Sequence, residues 1–150
     1  MHRTLWIAIF ALGCVAQEEP VDIDEVSQAF LAREQITELA EVKHILISWA
    51  DMAEAYGERG MDPRAAARSR QDADELVTQL LAQVRRGDPI DSLMKEHSED
   101  SGSAAAGTGY TATPESSLVP PFKALSLRLN VGESAPVLTR FGWHIILRLE

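Results

Sequence analysis

The sequence predicts an α+β fold, in which helices cover a small antiparallel sheet. Two apolar, β-branched stretches, 42–48 and 143–149, have the composition of buried strands. The strongest helical pattern, which runs from Ser69 to Gly87, lies between them. A third strand-like stretch, 135–139, comes shortly before the last one and predicts a terminal hairpin. Predicted strands therefore stand before and after the predicted helices, which favours one sheet packed against helices.

Length and charge restrict the class of protein. A chain of 150 residues with 45% hydrophobic residues can form one core but not two domains of ordinary size. The net charge of −9 argues against nucleic acid as a partner, because phosphates require a basic surface. Acidic residues are concentrated before residue 42, so we predict an acidic linker over 14–41 and one domain over 42–150. The sequence contains no ATP or dinucleotide motif, so we expect no nucleotide cofactor.

The first residues have the pattern of a secretion signal. His2 and Arg3 precede an apolar run over 5–12, which is shorter than the roughly 20 residues that span a bilayer. We predict a signal peptide over 1–13 and export to the bacterial cell envelope. Cys14 is the only cysteine, and its place after Gly13 resembles a bacterial lipoprotein box, which implies lipidation and membrane attachment. The alternative is an ordinary cleaved signal followed by an incidental cysteine.

Further elements follow in chain order. Good helix formers over 26–39 predict a short helix or a partly ordered linker. Turn signals over 49–68 predict a long connection, with or without one helical turn. Ser69 with Asp72 predicts a helix N-cap, and Asp88-Pro89 predicts the start of a second helix that ends near Ser98. The small residues of 102–117 suit a loop or a short edge strand around Tyr110, and Pro120-Pro121 predicts a short helix before Gly132.

Strand alternation assigns a face to each of two histidines. His144 lies on the opposite face from Trp143, and His44 shares its face with Val42 and Leu46. If the two strands are antiparallel neighbours, the imidazoles come within hydrogen-bond reach of each other.

Four segments, taken in order, resemble the signature of the parvulin family of peptidyl-prolyl cis/trans isomerases, also called PpiC-type or rotamase domains. The segments are Lys43-His44-Ile45-Leu46-Ile47, His97-Ser98-Glu99-Asp100, Leu118-Val119-Pro120-Pro121-Phe122 and Phe141-Gly142-Trp143-His144-Ile145-Ile146. The resemblance covers 42–150. It implies a four-stranded antiparallel sheet surrounded by about three to four helices, and it implies proline-containing segments of exported or unfolded polypeptides as partners.

The resemblance also implies roles for particular side chains. His44, His144 and Asp100 would be the catalytic group, and Asp100 stands where parvulins have cysteine or aspartate. Four residues would contact substrate: Leu118, Phe122, Thr139 and Phe141. No cofactor is implied, and the histidines and the acid lack any recognised metal-ligand spacing.

Departures from the family pattern keep a second function open. Where many parvulins have Gly-Gly-Asp-Leu-Gly, residues 106–110 are shorter and lack the leucine, and Leu118 replaces the usual methionine. These departures favour a non-catalytic peptide-binding chaperone with the same fold, whereas the polar set favours the isomerase. Arg64, Arg68 and Arg70 predict at most a preference for an acidic residue before proline.

Overall fold

A computed structural model describes residues 21–150 and shows a four-stranded antiparallel sheet. The strands are β1 (Ala40–Ile47), β2 (Tyr110–Ala112), β3 (Ser134–Thr139) and β4 (Gly142–Arg148), in the spatial order β2-β1-β4-β3. The predicted α+β fold is confirmed. The predicted signal peptide over 1–13 and the lipidation site Cys14 lie outside the described residues.

Six α-helices and one 3-10 segment surround the sheet in the described part of the chain. They are α1 (Ile23–Leu31), the 3-10 segment (Ala50–Arg59), α2 (Pro63–Ala66), α3 (Arg70–Arg86), α4 (Ile90–His97), α5 (Ser101–Ala106) and α6 (Pro120–Ser126). The sequence predicts about three to four helices. The difference arises because several of the observed helices have only four to seven residues and little periodicity. Between residues 21 and 150, no helix is both long and apolar enough to cross a membrane.

The two faces of the sheet bury different side chains, as the alternation predicts. One face contributes Ile45, Ile47 and Trp143 to a core formed with α3 and α4. The other contributes Val42 and Ile146 to a second core formed with α6. His44 and His144 lie on this second face, so both point toward the helix that carries Phe122.

The predicted start and end of α3 are confirmed. Ser69 accepts a hydrogen bond from the backbone of Asp72, whose carboxylate accepts one from the backbone of Ser69 in return. The helix ends at Gly87, which has a left-handed conformation with φ of 93°. Asp74, within α3, accepts a hydrogen bond of 2.7 Å from the indole of Trp143, which fixes α3 against β4.

The helix predicted over 26–39 has different bounds. It is α1, Ile23–Leu31, because the carboxylate of Asp22 accepts hydrogen bonds from the first free backbone amides and so begins the helix earlier. Ile23 is buried in the first core, and Phe30 packs against the second. The acidic segment before β1, which the charge pattern favours as a spacer, therefore contains a helix packed on the sheet.

Candidate active site

The pairing of β1 with β4 brings the two histidines together. Leu46 lies opposite His144, and His44 lies opposite Ile146, so the histidines are diagonal neighbours on one face. Their ring centroids are 5.1 Å apart. The rings are neighbours, as the strand pairing predicts, but they form no hydrogen bond with each other. Each Nε2 contacts a different residue, and neither Nδ1 has a partner among residues 21–150.

Asp100 lies at the start of α5 and faces His44. Its Oδ2 is 3.3 Å from His44 Nε2, and the same oxygen accepts a hydrogen bond of 2.9 Å from the hydroxyl of Tyr110. The contact with His44, followed by the hydrogen bond from Tyr110, holds the pKa of Asp100 far below its usual range. The site therefore contains a carboxylate at neutral pH.

His144 is buried and uncharged. Burial, assisted by the neighbouring His44, lowers the pKa of His144 to about 3, because water no longer stabilises the charged ring. Its Nε2 lies 2.8 Å from the hydroxyl of Thr139. That hydroxyl also accepts a hydrogen bond from the backbone of Phe141 at 3.1 Å.

Thr139 is the one predicted substrate-contact residue that does not line the cavity in front of the histidines. Its side chain is buried at the end of β3. It lies beside His144 because β3 pairs with β4, with Val137 opposite His144 and Thr139 two residues further along the same face. In this structure the Thr139 hydroxyl therefore contacts the imidazole of His144 and not the cavity.

One cavity of about 800 Å³ collects the other predicted residues. Its lining includes His44, Asp100, Leu118, Phe122, Phe141 and His144. The ring of Phe122 stands edge-on to both imidazoles, at 5.1 Å from His44 and 5.3 Å from His144. The cavity thus has an apolar aromatic wall facing a polar group, and its volume is typical of ligand-binding sites.

A buried ion pair fixes the connection that carries Asp100. The carboxylate of Glu99 accepts a hydrogen bond from the backbone of Ser48 and one from Arg68, each at 2.6 Å. Burial raises the pKa of Glu99. The backbone of Glu99 donates to the carbonyl of Leu46 at 2.9 Å. The residue before Asp100 is therefore tied to the end of β1, which carries His44.

The three arginines singled out in the sequence are paired with carboxylates of this chain. Arg64 pairs with Asp62, Arg68 with Glu99, and Arg70 with two aspartates, and none of the three lines the cavity. Arg59 and Arg140 line it instead. Neither has a carboxylate within salt-bridge distance in the described part of the chain.

Two tyrosines at the site escaped the sequence prediction. Tyr56, in the 3-10 segment, donates a hydrogen bond of 2.8 Å to the carbonyl of Phe141, and its ring packs edge-on against that residue. Tyr110, at the start of β2, contacts His44 and Phe122. In the sequence, each tyrosine is only an aromatic residue among mostly small or polar ones. Such a pattern gives no reason to place either residue at a site.

Across residues 21–150 no cluster of three or more metal-ligating side chains is present.

The chain matches a known protein family over most of its length. Residues 28–150 match the family described as "PPIC-type PPIASE domain". The match covers most of the chain, and the chain belongs to this family of peptidyl-prolyl cis/trans isomerase domains, as the resemblance to parvulins predicts.

Individual relatives carry two kinds of name. The chain is 37% identical over 83 residues to "Chaperone SurA" of Methylococcus capsulatus. The aligned residues make up 55% of this chain and 18% of that protein. It is 37% identical over 76 residues to the "Probable parvulin-type peptidyl-prolyl cis-trans isomerase" of Bordetella pertussis. Here the aligned residues make up 49% of this chain and 30% of that protein. The chain therefore matches less than a third of the length of either relative.

The fold recurs in solved structures. "Peptidyl-prolyl isomerase ESS1" from Candida albicans superimposes with a TM-score of 0.60 at 21% identity, over 75% of this chain and 63% of that one. At this identity the likeness concerns the fold.

Proposed function

We propose that this chain catalyses cis/trans isomerisation of X-Pro bonds in exported or unfolded polypeptides. The observation that carries the proposal is the single cavity in which Phe122 faces two imidazoles and an ionised Asp100. Membership of the isomerase-domain family and the relative named as a parvulin-type isomerase support it. Proline-containing segments are the proposed ligands, and the reaction needs no cofactor.

The chemistry requires binding rather than bond cleavage. Rotation about the peptide bond has a barrier of about 18–20 kcal/mol, because the twisted amide loses its resonance. An enzyme lowers this barrier by binding the twisted amide more tightly than the planar one, and each 1.36 kcal/mol of difference gives about tenfold in rate.

The cavity contains groups for both ends of the rotating bond. Leu118 and Phe122 form an apolar wall that suits the pyrrolidine ring. Asp100 and the imidazoles form the polar side, where fixed charges and dipoles act on the carbonyl group as it turns out of the amide plane. In this arrangement one part of the substrate is held while the other rotates.

The test measures catalysed exchange on a short X-Pro peptide with a protease-coupled assay. We expect the full chain to accelerate exchange above the slow uncatalysed rate. His144→Gln is expected to reduce kcat/KM at least about tenfold, since it removes a buried ring that contacts His44 and Phe122. His97→Gln is the matched control, because His97 lies outside the cavity.

The second candidate is a non-catalytic peptide-binding chaperone. It is favoured by the relative named as a chaperone and by the short 106–110 segment. The same assay separates the two functions. Exchange no faster than in buffer, together with retained peptide binding, would support the chaperone and refute the isomerase.

We further propose an envelope location, with residues 1–13 as the signal peptide and Cys14 as a lipid-modified anchor. The support is the sequence pattern alone. We expect the full chain to partition with membranes after expression in a bacterium, and we expect Cys14→Ser to release it into the soluble fraction. Membrane association that is unchanged in Cys14→Ser would refute the anchor.

A further inference from the structure

Tyr110 occupies one side of the cavity, and the proposed mechanism above gives it no task. Its ring lies 5.4 Å from the ring of His44 and stands edge-on to Phe122 at 5.8 Å. It therefore contacts both the polar side and the apolar wall of the cavity. This is also the side where segment 106–110 is shorter than in many parvulins.

The backbone around Tyr110 directs its side chain into the cavity. Tyr110 lies opposite Val42 in the antiparallel pair of β2 and β1, so its side chain shares the face of Val42 and His44. The preceding Gly109 allows the strands to approach closely, because a Cβ there would lie 2.6 Å from the carbonyl oxygen of Val42. The close approach keeps the ring beside His44.

The hydroxyl of Tyr110 binds the oxygen of Asp100 that faces His44. It donates to Oδ2 at 2.9 Å, and His44 Nε2 lies 3.3 Å from the same atom. Burial and the adjacent carboxylate raise the pKa of Tyr110, so the phenol keeps its proton at neutral pH and always acts as donor. The hydrogen bond also joins the start of α5 to the start of β2.

We propose that Tyr110 has two tasks. Its ring forms a further wall of the proline-ring cavity, between the apolar wall of Leu118 and Phe122 and the polar side formed by Asp100 and the imidazoles. Its hydroxyl positions the Asp100 carboxylate against His44. The short segment before β2 then completes the cavity with an aromatic residue where many parvulins use a longer loop. This proposal rests on the proposed isomerase function for its kinetic part. Its binding part and its titration part do not depend on catalysis.

The experiment compares three variants in the full chain. Tyr110→Phe keeps the ring and removes the hydroxyl. Tyr110→Thr removes the ring and keeps a residue that suits a strand. Thr111→Val is the matched control, since it removes the hydroxyl of the neighbouring residue, which is exposed and binds Glu41 outside the cavity.

Three measurements are made on each variant with a short Ala-Leu-Pro-Phe peptide. They are the peptide Kd by NMR titration, kcat and KM for cis/trans exchange, and the pH midpoint of the Asp100 carboxyl carbon signal. For Tyr110→Phe we expect kcat to fall about tenfold with KM changed less than about twofold. We expect its Asp100 midpoint to rise, because the carboxylate loses a donor.

For Tyr110→Thr we expect the Kd of the peptide to rise at least about fivefold, because the ring contributes buried apolar area. Thr111→Val should match the wild type in all three measurements.

The two tasks fail separately. An unchanged Asp100 midpoint in Tyr110→Phe would refute the positioning task, and an unchanged Kd in Tyr110→Thr would refute the wall. If the wild type shows no catalysed exchange, the isomerase function fails, while the Kd and the midpoint still decide the two tasks of Tyr110.

Discussion

His144 shows at the scale of one residue how burial defines a chemical role. The imidazole is packed between His44 and Phe122, and among residues 21–150 only Thr139 lies within hydrogen-bond distance of its Nε2. Burial keeps the ring neutral, so it contributes a dipole and a surface to the cavity rather than a charge. Asp100, in contrast, contributes a negative charge beside the imidazoles.

This neutrality makes stability depend on pH. The pKa of His144 is about 3 in the folded chain and near 6.5 in an unfolded one, so the unfolded state binds a proton first as pH falls. We expect the stabilising effect of the neutral ring to be complete above pH 6.5 and to be lost as pH falls toward 3. Its limiting slope is about 1.4 kcal/mol per pH unit.

Urea unfolding between pH 7 and pH 4 provides the measurement. The difference in unfolding free energy between the wild type and His144→Gln should shrink as pH falls, because glutamine does not titrate. A constant difference across this range would contradict a depressed pKa.

Arg140 leads to a prediction about substrate preference. It lines the cavity without a carboxylate partner in residues 21–150, unlike the three arginines that the sequence suggests. We expect Glu-Pro peptides to be turned over about two- to fivefold faster than Lys-Pro peptides, because an exposed ion pair contributes up to about 1 kcal/mol. The ratio should fall toward one in Arg140→Gln.

Arg86→Gln is the control for this measurement, since Arg86 pairs with Asp88 away from the cavity. Equal turnover of both peptides by the wild type would rule out the preference.

At the scale of elements, the β3–β4 hairpin places three site residues at once. Thr139 ends β3, Phe141 lies in the turn, and His144 is the third residue of β4. Gly142 begins β4 with φ of 126°, and a Cβ there would lie 2.5 Å from the carbonyl oxygen of Ile47. The close approach of β4 to β1 therefore depends on glycine at this position.

We expect Gly142→Ala to lower the free energy of unfolding by at least about 3 kcal/mol, because backbone strain and a steric clash add together. It should also reduce kcat/KM, since β4 carries His144. Gly132→Ala is the matched control, because Gly132 also has a positive φ, of 84°, but has open space around a Cβ. It should cost about 1–2 kcal/mol. Equal costs for the two variants, measured by chemical denaturation, would show that the close approach has no effect.

At the scale of the whole molecule, the sheet separates a core from a site. One face packs against α3 and α4 in an apolar core, and the other faces α6 and carries the histidines. Helix α1 contacts both regions, because Ile23 lies in the first core and Phe30 packs against the second. The acidic segment before residue 42 thus contributes to the packing of the domain.

A matched pair of isoleucines tests this contribution. Ile23 is 5% exposed and Ile36 is 49% exposed, although both lie in the segment that the charge pattern favours as a linker. We expect Ile23→Ala to cost about 2–5 kcal/mol of unfolding free energy, and Ile36→Ala less than about 0.5 kcal/mol. Similar small costs for both, measured by urea denaturation, would mean that α1 is not part of the cooperative unit.

Local sequence patterns are sufficient to predict the strands of the two histidines, the face of each strand, the capped helix α3 and the family. These features follow from local periodicity and from the order of short segments, which persist whatever the rest of the chain does. Three contacts are visible only in the folded chain: Tyr110 with Asp100, Thr139 with His144, and Arg68 with Glu99. Such contacts join side chains from different elements, so their distances depend on packing and strand register, which no local pattern specifies.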